Sequence, residues 1–141
     1  MKYELWSMSN EEQVVNKEKI KSFTDLNAWK EGHGVALQIY KITKNFPVDE
    51  KYGLVSQMRR AIISTTSNLA EGFSRNSYNE KIHFYGMAQG SLTELQNQII
   101  LSRDLQYMSQ KDYMEIVDKT IVAHKLINGL IKGARKIIRD S

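Results

Sequence analysis

Few side chains here can do acid–base or metal chemistry. The chain has three histidines, His33, His83 and His124, sixteen carboxylates and no cysteine. Glu80-x-x-His83 has the spacing that sets a carboxylate and an imidazole on one helical face. Di-iron bundles need that pair from each of two helices and a Glu from each of the others. Here the pair occurs once, and the positions three before His33 and His124 hold Lys30 and Ile121. Glu80 also completes Ser77-x-x-Glu80, a capping-box spacing. No metal site and no cofactor are expected. Without cysteine there is no thiolate nucleophile, disulfide or cysteine-held cluster. The chain has no Gly-x-Ser-x-Gly elbow, Walker A loop or Gly-x-Gly-x-x-Gly turn. Helical RNases of the HEPN type place an Arg shortly before a His, whereas seven residues separate Arg75 from His83. No catalytic residue is assigned, and an enzyme is not expected. His124 falls on an apolar seam and reads as a core histidine hydrogen-bonded to a neighbour.

Two polar constellations remain. Gln57, Arg60, Ser64, Asn68 and Glu71 step by 3, 4, 4 and 3, which puts them within an arc of about 80° on a helix. Glu94 and Gln98 lie four apart on the following helical pattern. Such a stripe beside an apolar one is expected to be a half-buried network that fixes helix register or subunit pairing, with a ligand or RNA site as the other reading. The second constellation is Lys125, Lys132, Arg135, Lys136 and Arg139, within an arc of about 100°. With Lys119 they give residues 119–139 a charge of +6 with no acid, so the rest of a chain of net charge +4 carries −2. Cations suit the C-terminal end of a helix dipole. They also suit a phosphate-facing patch, the tentative nucleic-acid reading of these five residues.

The elements that would position these groups are helices. Leu26, Trp29, His33, Leu37, Tyr40 and Thr43 form a first stripe, capped by Thr24 or Asp25 and ended at Asn45-Phe46-Pro47. Leu54, Met58, Ala61, Thr65, Leu69 and Phe73 form a second, beginning near Asp49 with Gly72 as its stop. Ile82, Tyr85, Ala88, Leu92, Leu95 and Ile99 form a third, opened by Ser77 and running to about Leu105. Gly86 and Gly90 within it read as sites of close helix packing. Ser109-x-x-Asp112 opens the fourth, whose stripe runs from Tyr113 through Val117, Thr120, His124, Ile127, Ile131 and Ala134 to Ile138 with a near-3.5 period. Ile116, Ile121, Leu126, Leu130 and Ile137 widen that apolar face, which asks for cover on two sides, including by another subunit. No segment shows strand alternation. The expectation is an all-α, up-down-up-down four-helix bundle over residues 23–141. Residues 1–22, polar and without a sustained period, read as a mobile or weakly helical extension.

A chain of 141 residues is one domain and can bury about 68% of its unfolded surface. No apolar run is long enough to span a membrane, and Met1–Asn10 has no signal-peptide pattern. The expected location is the cytoplasm, with no membrane partner.

The helical stretches also carry a family resemblance. Phe23-Thr24-Asp25-Leu26 with Trp29, Ile39-Tyr40, Phe46-Pro47, Tyr52-Gly53-Leu54, Gln57, Arg59-Arg60-Ala61, Ser64, Asn68, Ala70-Glu71-Gly72-Phe73, Gly90-Ser91-Leu92 and Glu94-Leu95 occur in order. This pattern resembles the bacterial four-helix bundle proteins first found as open reading frames in intervening sequences of large-subunit rRNA genes. The resemblance covers Phe23 to Ile138. It departs at Thr65-Thr66, where that family usually has isoleucine-proline. It implies an up-and-down bundle assembled as a homopentameric ring. It also implies a distant likeness to the accessory variability determinant of diversity-generating retroelements, a basic pentamer that binds nucleic acid and a reverse transcriptase. The family has no assigned catalytic residue. Two functional classes stay open: a non-enzymatic nucleic-acid or ribonucleoprotein accessory module, and a structural or protein-interaction bundle without nucleic-acid affinity.

Overall fold

The computed structural model describes residues 20–141. Residues 1–19, most of the expected extension, lie outside the described residues. Among the described residues the regular structure is entirely helical: α1 (Asn27–Thr43), α2 (Leu54–Ser74), α3 (Tyr78–Asp104) and α4 (Gln110–Arg139), with 3-10 turns at Phe23–Asp25 and Val48–Glu50. Each helix packs on its neighbours in sequence and α1 packs on α4, which closes a four-helix bundle. The fully buried centre is built from Val35 and Ile39 of α1, Met58, Ile62 and Leu69 of α2, Leu92, Leu95 and Ile99 of α3, and Ile116 and Ile127 of α4. Thr65 and Thr120 are buried too, and their hydroxyls donate to the carbonyls of Ala61 at 2.9 Å and Val117 at 2.7 Å. A buried hydroxyl satisfied within its own helix adds no unpaired polar group to the core.

The second, third and fourth apolar stripes face the core largely as their periods require. The first does not. The buried face of α1 is Ala28, Gly32, Val35, Ile39, Ile42 and Thr43, while Leu37 is 63% exposed and His33 faces outward against Trp29. Small residues win because α1 and α2 approach closely. A Cβ on Gly32 would stand 3.0 Å from Cγ2 of Thr66.

The helix starts also shift. Ser22 caps the turn Phe23–Asp25, and the Asp25 carboxylate turns back on the amides of Lys21 (3.0 Å) and Ser22 (3.2 Å). Those two amides hold Asp25 below the usual carboxylate range. Asp25 therefore closes the turn and does not cap α1, which begins after Leu26 with no side-chain cap. Asp49 likewise sits in a turn. Glu50 reaches forward to accept from the Leu54 amide at 3.3 Å and from the Tyr107 hydroxyl at 2.9 Å, tying the α1–α2 loop to the α3–α4 loop. Ser77 and Ser109 cap α3 and α4 as their spacings require. α3 ends in a Schellman arrangement. Tyr107 N–H donates to Ser102 O and Gln106 N–H to Arg103 O, with Gln106 left-handed at φ 64°. A non-glycine residue there costs about 1 kcal/mol.

The open carbonyls at helix C-termini are met by cations of the next helix. Arg59 of α2 donates to the Thr43 hydroxyl at 3.0 Å and the Tyr40 carbonyl at 3.4 Å and lies over the Tyr40 ring. Lys81 of α3 donates to the carbonyls of Phe73 at 2.6 Å and Gly72 at 3.3 Å. Each places positive charge where the dipole is negative.

Gly72 does not stop α2, which runs to Ser74. It is buried under the next helix, and a Cβ there would meet the Tyr85 ring at 2.7 and 2.9 Å and Phe84 at 3.0 Å. Gly86 and Gly90 show the opposite. Among the described residues a Cβ at either meets nothing within 4 Å, so the close helix packing expected of them is not seen there. Gly72→Ala should therefore destabilise the bundle by about 1–3 kcal/mol through overpacking. Gly86→Ala should stabilise it by about 0.5–1 kcal/mol through helix propensity. Urea unfolding of both variants checks this, and equal effects would contradict it.

Candidate nucleic-acid interface

The sixteen residues from Asn68 to His83 contribute two helix ends and the loop that turns α2 into α3. The last three turns of α4 lie alongside. On α4 the core face is Ile116, Thr120, Ala123, Ile127, Ile131 and Ala134. At 100° per residue, Lys125, Lys132, Arg135, Lys136 and Arg139 fall on the opposite side, and all five are exposed. Arg139 pairs loosely with Asp140 at 3.5 Å. Among the described residues the other four hold no ion pair. Among the described residues the row is thus a charged surface largely without local partners.

Three of the four other arginines are engaged, while Arg60 is exposed. Arg59 caps α1, Arg75 binds Glu71 and lies over the Phe84 ring, and Arg103 is held by Asp104 and by the Tyr113 hydroxyl at 2.8 Å.

The polar stripe of α2 comes together only in part. The hydroxyls of Ser64 and Ser91 meet at 2.9 Å, and Asn68 donates to the Ser64 carbonyl at 2.8 Å and to its hydroxyl at 3.2 Å. These half-buried groups link α2 to α3. Gln57, Arg60, Glu71 and Glu94 are exposed. Gln98, buried, donates to the Glu94 carboxylate at 3.2 Å. The stripe lies on the shoulder of the α2–α3 contact, where long side chains reach water, so the network expected across it shrinks to the two serines and Asn68 within one chain. Glu80 is taken up with Ser77, and His83 stands exposed against Phe84. His124 is half-buried and has no hydrogen bond among the described residues, contrary to the partner expected for it. Among the described residues no group of three or more His, Asp or Glu side chains is placed to hold a metal ion.

Around α4 from the cation row lies a groove of about 280 Å³ whose lining includes Ile20 and Leu26 ahead of α1, Phe73, Tyr78, Lys81, Gly129, Gly133 and Ile137. Among the described residues a Cβ on Gly129 or Gly133 would meet nothing within 4 Å. Tyr85 lines its floor, and burial, with the Tyr78 phenol adding to it, pushes the Tyr85 hydroxyl up to about 12. Residue types alone did not single out Tyr78, Lys81 or this glycine pair. The available signal was Gly129-x-x-x-Gly133, an i, i+4 pair that leaves one side of a helix bare.

The raised Tyr85 value carries a sign. The native state holds this proton more tightly than the unfolded chain, so the contribution is intact below the ordinary tyrosine value near 10. It is lost as pH rises toward 12. Urea unfolding at about pH 9 and pH 11 should show the parent losing more stability than Tyr85→Phe, which keeps the ring packed on Gly72. Equal losses would contradict the buried, protonated phenol.

Among known proteins, the model of the 23S rRNA-intervening sequence protein family matches residues 24–129. A solved structure from Bacteroides thetaiotaomicron VPI-5482, described as a protein with unknown function from the S23 ribosomal protein family, is similar in fold. Its TM-score is 0.68 at 18% identity over 74% of this chain and 95% of that one. No curated protein matches the chain.

Proposed function

Because the chain belongs to the 23S rRNA-intervening sequence protein family, we propose that it is a non-enzymatic accessory bundle of the cytoplasm that assembles from several copies and binds RNA or DNA through the outer row of α4. The observation that carries this reading is the row itself, five exposed cations on one helix face, four of them without an ion pair among the described residues. The helix dipole accounts for Lys136 and Arg139 in the last turn, since its effect fades beyond one turn. It gives no reason for Lys125 and Lys132 further back. Phosphates do, because cations spaced along one face can follow a backbone without reading its bases.

One helix end gives a modest field. A closed ring of about five copies would repeat it and bring several rows within reach of one strand. Ile121, Val122 and Ile138 are each about 40% exposed on α4, apolar surface that a neighbouring copy would cover. Light scattering across micromolar concentrations should return a mass of about five protomers. A monomer at all concentrations would remove the ring.

Binding to mixed-sequence RNA and DNA should be weak, sequence-tolerant and steeply salt-dependent. If about four phosphates are neutralised, log K should fall with log salt at a slope of about −3 on single strands and about −3.6 on duplex. Lys132→Gln, Arg135→Gln and Lys136→Gln together should lower affinity and flatten the slope while leaving the melting temperature nearly unchanged, since exposed charges contribute little to stability. No binding at about 50 mM salt would leave the protein-interaction bundle as the better reading.

A further inference from the structure

The groove next to the row has the ingredients of a base site, and it lies where a bound strand would pass. Gly129 and Gly133 are about 20–100° around α4 from Lys136 and Lys132, so the bare helix surface borders the cation row at Lys136. Among the described residues nothing lies within 4 Å above either glycine. Tyr78, 41% exposed, and Phe73 supply aromatic faces at the rim. An ammonium has three donors. Two from Lys81 are spent on the Phe73 and Gly72 carbonyls, and the third, without a partner among the described residues, suits an acceptor on a base edge. The volume of about 280 Å³ is near the lower end of small-molecule sites, the scale of a nucleobase.

We infer that this groove receives one unpaired base of a single-stranded nucleic acid whose phosphates lie on Lys132 and Lys136; the inference rests on the reading of the row as a phosphate surface. Charge complementarity selects this occupant. An apolar peptide would fill the groove and leave the adjoining cations unanswered, whereas a nucleotide presents an anion and a flat apolar ring a few ångströms apart. Single-strand binders combine the same two parts, a basic track and a stacking platform. A base inside a duplex is already stacked and paired, so the groove favours single strands over duplex, a preference the row alone does not give.

The test uses the full chain and three fluorescent probes of about 12 units, within the range of single-strand site sizes: a DNA strand, a strand of abasic units with the same number of phosphates, and the matching duplex. The intact strand should bind at least about 5-fold tighter than the abasic strand, the smaller end of stacking gains per base, with the same salt slope. Gly133→Leu, which fills the groove, and Tyr78→Ala, which removes one face, should each bring the intact strand down to the abasic level and leave the slope unchanged. Neither change enters the core, and melting curves verify that. If intact and abasic strands bind alike, or both variants bind as the parent does, the groove inference fails while a persisting salt slope upholds the phosphate reading. If the parent binds none of the probes at about 50 mM salt, the phosphate reading fails and takes the groove with it. If Gly133→Leu changes the light-scattering mass but not the ratio between strands, a second copy fills the groove and the inference is overturned.

Discussion

The approach of α2 to α3 at Gly72 sets the geometry of the end of the molecule on which the candidate site lies. The Tyr85 ring occupies the space a Cβ would need, so the two helices meet at a distance that glycine alone permits there. With the helices that close, the last carbonyls of α2 fall within reach of Lys81, which satisfies two of them. Phe73 is held at the rim by the same geometry, with its ring near the Lys81 ammonium. A wider spacing would leave carbonyls without donors, and buried unpaired polar groups are costly. One contact thus fixes a helix end, its electrostatic cap and one wall of the groove.

The cations divide by what the fold asks of them. Arg59 and Lys81 cap helices, and Arg75 and Arg103 combine ion pairs with aromatic faces. Each sits where its charge is answered locally. The row on α4 differs from these in that four of its five cations hold no ion pair among the described residues. Surface pairs between exposed ions contribute little to stability, so an unanswered row costs the fold little too. It also stays available to a polyanion.

Much of this was legible in the sequence because helical periods are strong signals. The number of helices, the serine caps of α3 and α4, and the core stripes of α2 to α4 follow from spacing. The α1 stripe differs because bulk does not set burial there: a close α1–α2 approach selects Ala28, Gly32 and Val35 over Leu37 and Tyr40. The starts of α1 and α2 moved because Asp25 and Glu50 bond to amides outside the positions that sequence spacing assigns them. The extent of the polar stripe was not legible, since a shoulder position can be wet or dry depending on how deeply two helices interlock. The groove was invisible for a related reason. It is formed by residues from α2, α3 and α4 with Ile20 and Leu26 ahead of α1, and its defining feature is the space above two glycines, which becomes apparent once the neighbouring helices are in place.

The family match ends at residue 129, and this boundary passes through the candidate site. Gly129 stands at its edge. Gly133, Ile137 and four of the five row cations lie beyond it, on helical turns that continue α4 to Arg139. The bundle core is built mostly from matched residues, so family membership accounts for the fold without accounting for the row. Both halves of the proposed surface, the phosphate-facing cations and the bare strip beside them, are carried largely by the same ten residues, 130–139. A helix repeats its faces every 3.6 residues, so a change in that segment that shifts its phase would displace the row and the groove floor together. Substitutions that preserve phase would alter one and spare the other. The two halves are therefore linked by helix geometry and separable by side chain.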